Sequence, residues 1–298
     1  LENIAMNESV TRPSVGFIGL GIMGGAMAGR LAAAGFPLHV YNRTRSKAEP
    51  LLAAGAKWHD SPATLAAASD IVLTIVGTPA DVRGLYLGEE GLIANARPSS
   101  TLVDMTTSSP SLARELAALG SQRDLHVLDA PVSGGDIGAR EGRLSIMVGG
   151  SPEGFARIEP VLRCLGANIV LQGGPGAGQH TKLCNQIVIA STMLGVCEGL
   201  TYARNAGLDV RTVLSSIGGG AAGGFLLNNL GPRIANEDFA PGFFVEHFVK
   251  DMRIATEEAL DIGCELPGLE LAFRLYQQLA DGGNSRDGTQ ALFKLYQP

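Results

Sequence analysis

The feature that most constrains this chain is a change of period near residue 175. Upstream of it, short apolar runs alternate with helical stretches. SVGFIGL (14–20), LHVYNR, IVLTIVG, TLVDMTT and HVLDAPVSGG read as strands, with MAGRLAAAG, SKAEPLLAAGA, ATLAAASD and SPSLARELAALGSQR as helices among them. LSIMVGG and ANIVLQGG follow as further strands around the helix EGFARIEPVLRCL. Strands alternating with helices imply right-handed crossover units, hence a parallel sheet covered on both faces. After Gly178 the strand signals stop, and helical patterns run at 179–206, 209–217, 225–236, 247–262, 266–281 and 287–297. At 298 residues the chain is also long for one hydrophobic core. The expected architecture is an α/β domain with a doubly wound sheet at 14–175 and an all-α domain at 176–298, joined by a long helix. Residues 1–13 lack the apolar core of a signal peptide and read as a flexible leader.

The first strand runs into Gly19-Leu20-Gly21-Ile22-Met23-Gly24, which then opens a helix. Alone, GxGxxG is a weak signal in a chain with 40 glycines. Between a strand and a helix it acquires a mechanism: glycines allow the tight turn and let a pyrophosphate approach the backbone at the positive helix end. The sheet is therefore expected to be of the Rossmann type and to bind a dinucleotide. The second strand ends Tyr41-Asn42-Arg43-Thr44, where an NAD site usually places a carboxylate for the ribose 2′-OH. With Asn42 there instead, repulsion toward a 2′-phosphate is removed and Arg43 can pair with it, which favours NADPH over NADH. Arg43 and Arg45 lying on a solvated face would look the same in sequence. Val76-Gly77 and Thr106-Thr107 end two further strands on the same carboxyl edge and are candidates for cofactor contacts.

Two more stretches carry chemistry. Ser133-Gly134-Gly135, at the end of LDAPVSGG, can offer a hydroxyl and bare backbone N–H groups to a carboxylate, although an ordinary turn would use the same residues. Lys182 heads the string Lys182-Leu183-Cys184-Asn185-Gln186, just past GGPGAG. Helical spacing places Asn185 and Gln186 on the lysine's face. A helix N-terminus disfavours an ammonium and lowers its pKa. A dinucleotide site and a positioned proton donor together point to hydride transfer involving a small carbonyl.

Composition excludes several classes. The net charge of −6 with no basic run argues against nucleic acid. Ile187 to Ala203 carries one charge, Glu198, but is broken by Ser191, Thr192 and Tyr202, and reads as a long buried helix rather than a membrane span. Cys164, Cys184, Cys197 and Cys264 form no CxxC pair, which fits reduced thiols in a cytoplasm and makes structural zinc unexpected. HExxH, DxDxDG and GxSxG are absent, so no metal site is expected. His180 and His247 lack an acidic partner at a telling spacing.

VGFIGLGIMGGAMAGRL, LDAPVSGGDIGAREGRLSIMVGG, GPGAGQHTKLCNQ and HFVKDMRIA, in this order, resemble the β-hydroxyacid dehydrogenase family, to which 3-hydroxyisobutyrate and 6-phosphogluconate dehydrogenases belong. The resemblance covers the chain from about residue 14. It implies that Lys182 is the general acid of reduction and general base of oxidation, that Ser133, Gly134 and Gly135 hold a substrate carboxylate, and that Lys250 lies near the nicotinamide. Thr107 matches a cofactor contact. One position departs, Gln186, where many members carry asparagine.

TKLCNQIVIA, GGGAAGG and APGFFVEHFVKD look most like the tartronate semialdehyde (2-hydroxy-3-oxopropionate) reductases. The alternatives are 3-hydroxyisobutyrate dehydrogenase and succinic semialdehyde or glyoxylate reductases. A non-catalytic dinucleotide-sensing module and an imine reductase are both disfavoured by Lys182. The implied partner is a small carboxylate-bearing aldehyde or hydroxy acid, and the implied assembly a homodimer or homotetramer.

Overall fold

The computed structural model describes residues 12–296. The leader expected at 1–13 lies, up to residue 11, outside the described residues, as does the last residue of the helix expected at 287–297. Nine strands form one sheet: β1 (Val15–Ile18), β2 (Leu38–Tyr41), β3 (Lys57–Trp58), β4 (Ile71–Thr74), β5 (Thr101–Asp104), β6 (His126–Asp129), β7 (Val132–Ser133), β8 (Leu144–Gly149) and β9 (Gly166–Gly173). Around it lie α1 (Ile22–Ala33), α2 (Glu49–Ala53), α3 (Pro62–Ala68), α4 (Pro79–Tyr86), α5 (Leu92–Asn95), α6 (Pro110–Ser121), α7 (Gly135–Glu141) and α8 (Pro152–Leu162).

The order β3-β2-β1-β4-β5-β6 is parallel throughout and doubly wound, with its reversal between β1 and β4. Ligands sit at the carboxyl ends of the strands at such a switch point. Successive side chains of a strand point to opposite faces. Phe17, Leu73, Val103 and Leu128 accordingly join one core with α1 and α8, while Ile18, Val72, Leu102 and Val127 join another with α3, α4 and α6. Coverage on both faces explains why these strands read as continuous apolar runs.

The expectation of a parallel sheet fails beyond β6. β8 pairs antiparallel with β6 and β7, and β9 then runs parallel to β8. Only α7 and its turns separate β7 from β8, less chain than a parallel crossover requires. HVLDAPVSGG is also two strands rather than one, broken at Ala130-Pro131, because proline cannot donate to a ladder. The two-residue β3 is too short to leave a periodic signal.

After β9 the structure is helical: α9 (Ala177–Asn205), α10 (Val210–Ile217), a π-helical turn (Leu226–Leu230) leading into α11 (Gly231–Ala235), α12 (Val245–Asp261), α13 (Pro267–Leu279) and a closing 3-10 stretch (Thr289–Tyr296). α9 is long and apolar enough by composition to cross a membrane. Here its Ala190, Met193, Cys197 and Leu200 form the centre of a helical core with Phe248 and Met252 of α12 and Tyr276 of α13. The rings of Phe248 and Tyr276 meet edge-on at 5.0 Å between centroids. The first turns of α9 instead lie against the sheet edge, so one helix spans both parts.

Candidate active site

At the switch point the glycine loop has distinct local requirements. Gly19 has φ +96°, and a Cβ there would stand 2.0 Å from the Ile75 carbonyl oxygen. A Cβ on Gly24 would stand 1.8 Å from the Gly19 oxygen, so α1 packs directly on the loop. At Gly21, the N-cap of α1, a Cβ would meet nothing within 4 Å. Among the described residues no side chain caps this helix and its first turn holds no acid, so its first N–H groups have no side-chain acceptor at the positive helix end. The loop therefore fits a pyrophosphate. Ile22 is exposed and Met23 half-buried beside it.

Asn42 is engaged within this loop. Its Oδ1 accepts from Leu20 N–H at 2.9 Å and its Nδ2 donates to the Thr44 carbonyl at 2.9 Å. The amide that occupies the place where an NAD site usually has a carboxylate thus braces the glycine turn. Arg43 is an exposed cation at this end: its side chain is 82% exposed and pairs at 3.4 Å with Asp81 on α4. Across the crevice, Val76 N–H donates to Thr106 Oγ1 at 2.9 Å, joining the loops after β4 and β5, and Gly77 follows half-buried. Beneath them Asp104 accepts from Thr106 N–H and Thr74 Oγ1, each at 3.1 Å. Burial lifts its carboxyl to about 7 against those hydrogen bonds.

Lys182 lies in the second turn of α9 and is 6% exposed. Among the described residues its Nζ has no hydrogen-bond partner. Its pKa falls to about 8, chiefly by burial; the Asp251 carboxylate opposes the shift and the Lys250 ammonium adds to it. The direction is the one expected, but the main cause is desolvation rather than the helix dipole, which fades beyond the first turn.

Asn185 and Gln186 do share the lysine's surroundings, and the structure corrects the role expected of Gln186. Its Oε1 accepts from Asn185 Nδ2 at 2.7 Å and its Nε2 donates to Asp251 Oδ2 at 2.6 Å. Gln186 is 1% exposed with both ends of its amide occupied, so it orients Asp251 rather than facing a ligand. Asn185 keeps its Oδ1 and half-buried position.

Asp251, on α12, is 1% exposed. Its Oδ1 lies 2.8 Å from Lys250 Nζ, yet at an angle that makes no hydrogen bond, so the contact is an ion pair and the oxygen keeps an unfilled lone pair. Lys250 Nζ donates instead to the Thr107 carbonyl at 2.6 Å, tying α12 to the loop after β5. Ser133 ends β7, and Gly134 and Gly135 follow with φ +129° and +64°. The nearest group to a Cβ on Gly135 would be the Gly242 carbonyl oxygen at 3.8 Å, so the segment before α12 overhangs this loop.

His180 makes none of the cluster's hydrogen bonds, and His247 lies one turn before Lys250 and Asp251 on α12. His180 lies 3.3 Å from an Arg114 nitrogen, and His247 sits against Phe243 and Phe244. The sequence reading missed Asp129 and Gln179. Asp129 accepts from Gly176 and Gln179 N–H groups, each at 2.8 Å, holding the start of α9 to the end of β6. Its only signal was an aspartate closing a buried strand. Asp251 stood in a recognised stretch without a role, because nothing in sequence places it beside Lys182. No group of three metal-ligating side chains occurs among the described residues.

Known proteins resemble this chain along most of its length. Residues 14–174 match the family model of the NAD binding domain of 6-phosphogluconate dehydrogenase, and residues 176–296 match that for NAD-binding of NADP-dependent 3-hydroxyisobutyrate dehydrogenase. An uncharacterized oxidoreductase of Bacillus subtilis is 50% identical over 96% of this chain and 99% of its own. The 2-hydroxy-3-oxopropionate reductase of Escherichia coli is 39% identical, covering 93% of this chain and 95% of its own. The solved structure of Mycobacterium tuberculosis 3-hydroxyisobutyrate dehydrogenase with L-serine superposes with a TM-score of 0.89 at 30% identity, over 96% of this chain and 100% of that one.

Proposed function

The chain belongs to the β-hydroxyacid dehydrogenase family and is an NAD(P)-dependent oxidoreductase, and within that family we propose that it reduces a short carboxylate-bearing semialdehyde, tartronate semialdehyde (2-hydroxy-3-oxopropionate) first, with NADPH preferred. The observation that carries the reading is the buried Lys182 ammonium beside Asp251, without a hydrogen-bond partner among the described residues, in a chain that also carries an uncapped glycine loop at the switch point of its sheet.

The bound dinucleotide supplies or takes up hydride. The chain's residues do the rest. Below pH 8 the Lys182 ammonium donates a proton to the alkoxide oxygen that develops as the carbonyl is reduced; above it the neutral amine takes the hydroxyl proton in the reverse direction. Asp251 holds Lys182 partly charged, and Gln186 holds Asp251. Ser133 Oγ and the N–H groups of Gly134 and Gly135 receive the substrate carboxylate, and the Asn185 amide receives the carbonyl or an adjacent hydroxyl. Gly19, Gly21 and Gly24 seat the pyrophosphate. Arg43 meets the 2′-phosphate, which supports the NADPH preference, and the Val76–Gly77 and Thr107 loops border the ribose and nicotinamide.

A second reading, oxidation of 3-hydroxyisobutyrate, is favoured by the family model matched over residues 176–296. Glyoxylate and succinic semialdehyde are further candidates for the same cleft. We also assign the chain to a homodimer or homotetramer in a reducing, cytoplasmic compartment. Exposed Cys184, Val188, Thr192, Gly195, Gly199 and Tyr202 lie along one face of α9, and all four cysteines are unpaired.

The test is initial rates with NADPH and NADH side by side. The panel is tartronate semialdehyde, glyoxylate, succinic semialdehyde and methylmalonate semialdehyde for reduction, with 3-hydroxyisobutyrate and serine for oxidation. The highest kcat/KM is expected with NADPH and tartronate semialdehyde. Faster turnover of 3-hydroxyisobutyrate would replace this reading with the second one.

A further inference from the structure

We propose that Gln179 is a positioning residue for the reaction, setting the distance between Lys182 and the nicotinamide end of the cofactor site by latching the first turn of α9 to the Thr106–Ser108 loop. The proposal rests on the reading of Lys182 as the proton donor.

Gln179 is wholly buried. Its Oε1 accepts from Ser108 N–H at 2.9 Å, and its Nε2 donates to the Thr106 carbonyl at 2.7 Å. One amide thus brackets Thr107, whose own carbonyl receives Lys250. From behind, Gln179 N–H donates to Asp129 Oδ2 while Gly176 N–H donates to Oδ1, so the carboxylate anchors the helix start to β6. Glycine at 178 makes this closeness possible, since a Cβ there would stand 2.3 Å from the Met147 carbonyl oxygen. Lys182 follows Gln179 by three residues, on the same helix face.

The loop's other ties run to the sheet, through Val76 N–H to Thr106 Oγ1 and Thr106 N–H to Asp104, and to α12, through Lys250 to the Thr107 carbonyl, whereas the hydrogen bonds that tie it to α9 are those of Gln179. Ser108 Oγ is buried without a partner among the described residues, so its hydroxyl is not what ties the loop to α9. Only an amide both accepts and donates in this arrangement: an ionised glutamate accepts alone and a leucine does neither. Whatever moves the Thr106–Ser108 loop against α9 therefore moves the cofactor site against Lys182. A misplacement of ~1 Å lowers a rate by roughly a hundredfold.

Gln179→Leu and Gln179→Glu in the full chain test this. Gln179→Leu is expected to lower kcat by about a hundredfold with the Kd for NADPH, read by fluorescence of the bound nicotinamide, nearly unchanged. The primary deuterium isotope effect on kcat with 4-deuterated NADPH should rise, because the hydride step becomes limiting. Gln179→Glu should regain activity relative to wild type as the pH falls, because the protonated acid again donates to the Thr106 carbonyl. A role confined to stability would lower the Tm and the active fraction without changing the isotope effect, and would overturn the proposal. So would a rise in KM alone. If Gln179→Leu does not fold, the pH response of Gln179→Glu decides. If the wild type turns over no substrate, the functional reading fails by itself, and amide exchange in the cofactor-free protein still decides the latch. Faster exchange at Ser108 in Gln179→Leu supports it and unchanged exchange overturns it.

Discussion

Lys250 donates a hydrogen bond from Nζ to the carbonyl oxygen of Thr107, 2.6 Å away and 143 residues earlier in the chain. That bond joins the helical part of the molecule to the sheet edge where the nicotinamide end of a dinucleotide belongs. The Lys250 side chain is 20% exposed, and its ammonium also pairs with Asp251. Lys250 thereby closes one side of the cleft and adds positive charge near Lys182.

Replacing Lys250 with Met removes a charge-assisted hydrogen bond of about 1.5–3 kcal/mol, so kcat/KM should fall roughly ten- to a hundredfold. KM for the cofactor should rise more than kcat falls, since the bond holds a loop rather than a reacting atom. Steady-state kinetics at varied NADPH concentration checks this.

Lys182→Met should abolish turnover yet stabilise the fold at neutral pH. The folded pKa of about 8 lies below the ordinary 10.5, so the unfolded chain binds the proton more tightly. The penalty for burying the ammonium is fully present below pH 8 and disappears as the pH rises toward 10.5. The gain is on the order of 3 kcal/mol at pH 7. Thermal unfolding of both proteins at pH 7 and pH 10.5 should show a higher Tm for the variant at the lower pH and convergence at the higher.

Asp251→Asn keeps an oxygen to accept from Gln186 but removes the negative charge that raises the Lys182 pKa. The alkaline limb of the pH profile for reduction should therefore move to lower pH. An unmoved limb would show that another group donates the proton.

Arg43→Ala removes the exposed cation at the adenosine end. The Kd for NADPH should rise about tenfold, the scale of one charge-assisted hydrogen bond, while that for NADH stays within experimental error. Titration of both cofactors by fluorescence gives the ratio directly.

The strand-turn-helix setting of the glycine loop, the helical setting of Lys182 and the change from strands to helices near residue 175 were legible because each depends on local pattern. Gly19 and Gly24 stand at loop positions with separate steric requirements, and Lys182 stands just ahead of a long apolar helical run. The reversal at β8 was not legible. An apolar run has the same alternation whichever way its neighbour runs, and only the short connection through α7 decides. Asn42 and Gln186 show a similar limit: sequence placed both amides near the site, but their hydrogen-bond partners, Leu20 and Asp251, turn them inward.

By itself, the sequence determined the order of the longer strands and helices, the dinucleotide loop and the candidate proton donor, because periodicity and backbone sterics act over a few residues. Only the tertiary structure decided which groups set the chemistry of that donor. Asp251 and Lys250 reach Lys182 from α12, and Asp129 and the Thr106–Ser108 loop hold the start of its helix from the sheet. Burial and electrostatic coupling depend on distances between segments far apart in the chain, and those distances exist only once the two parts have packed.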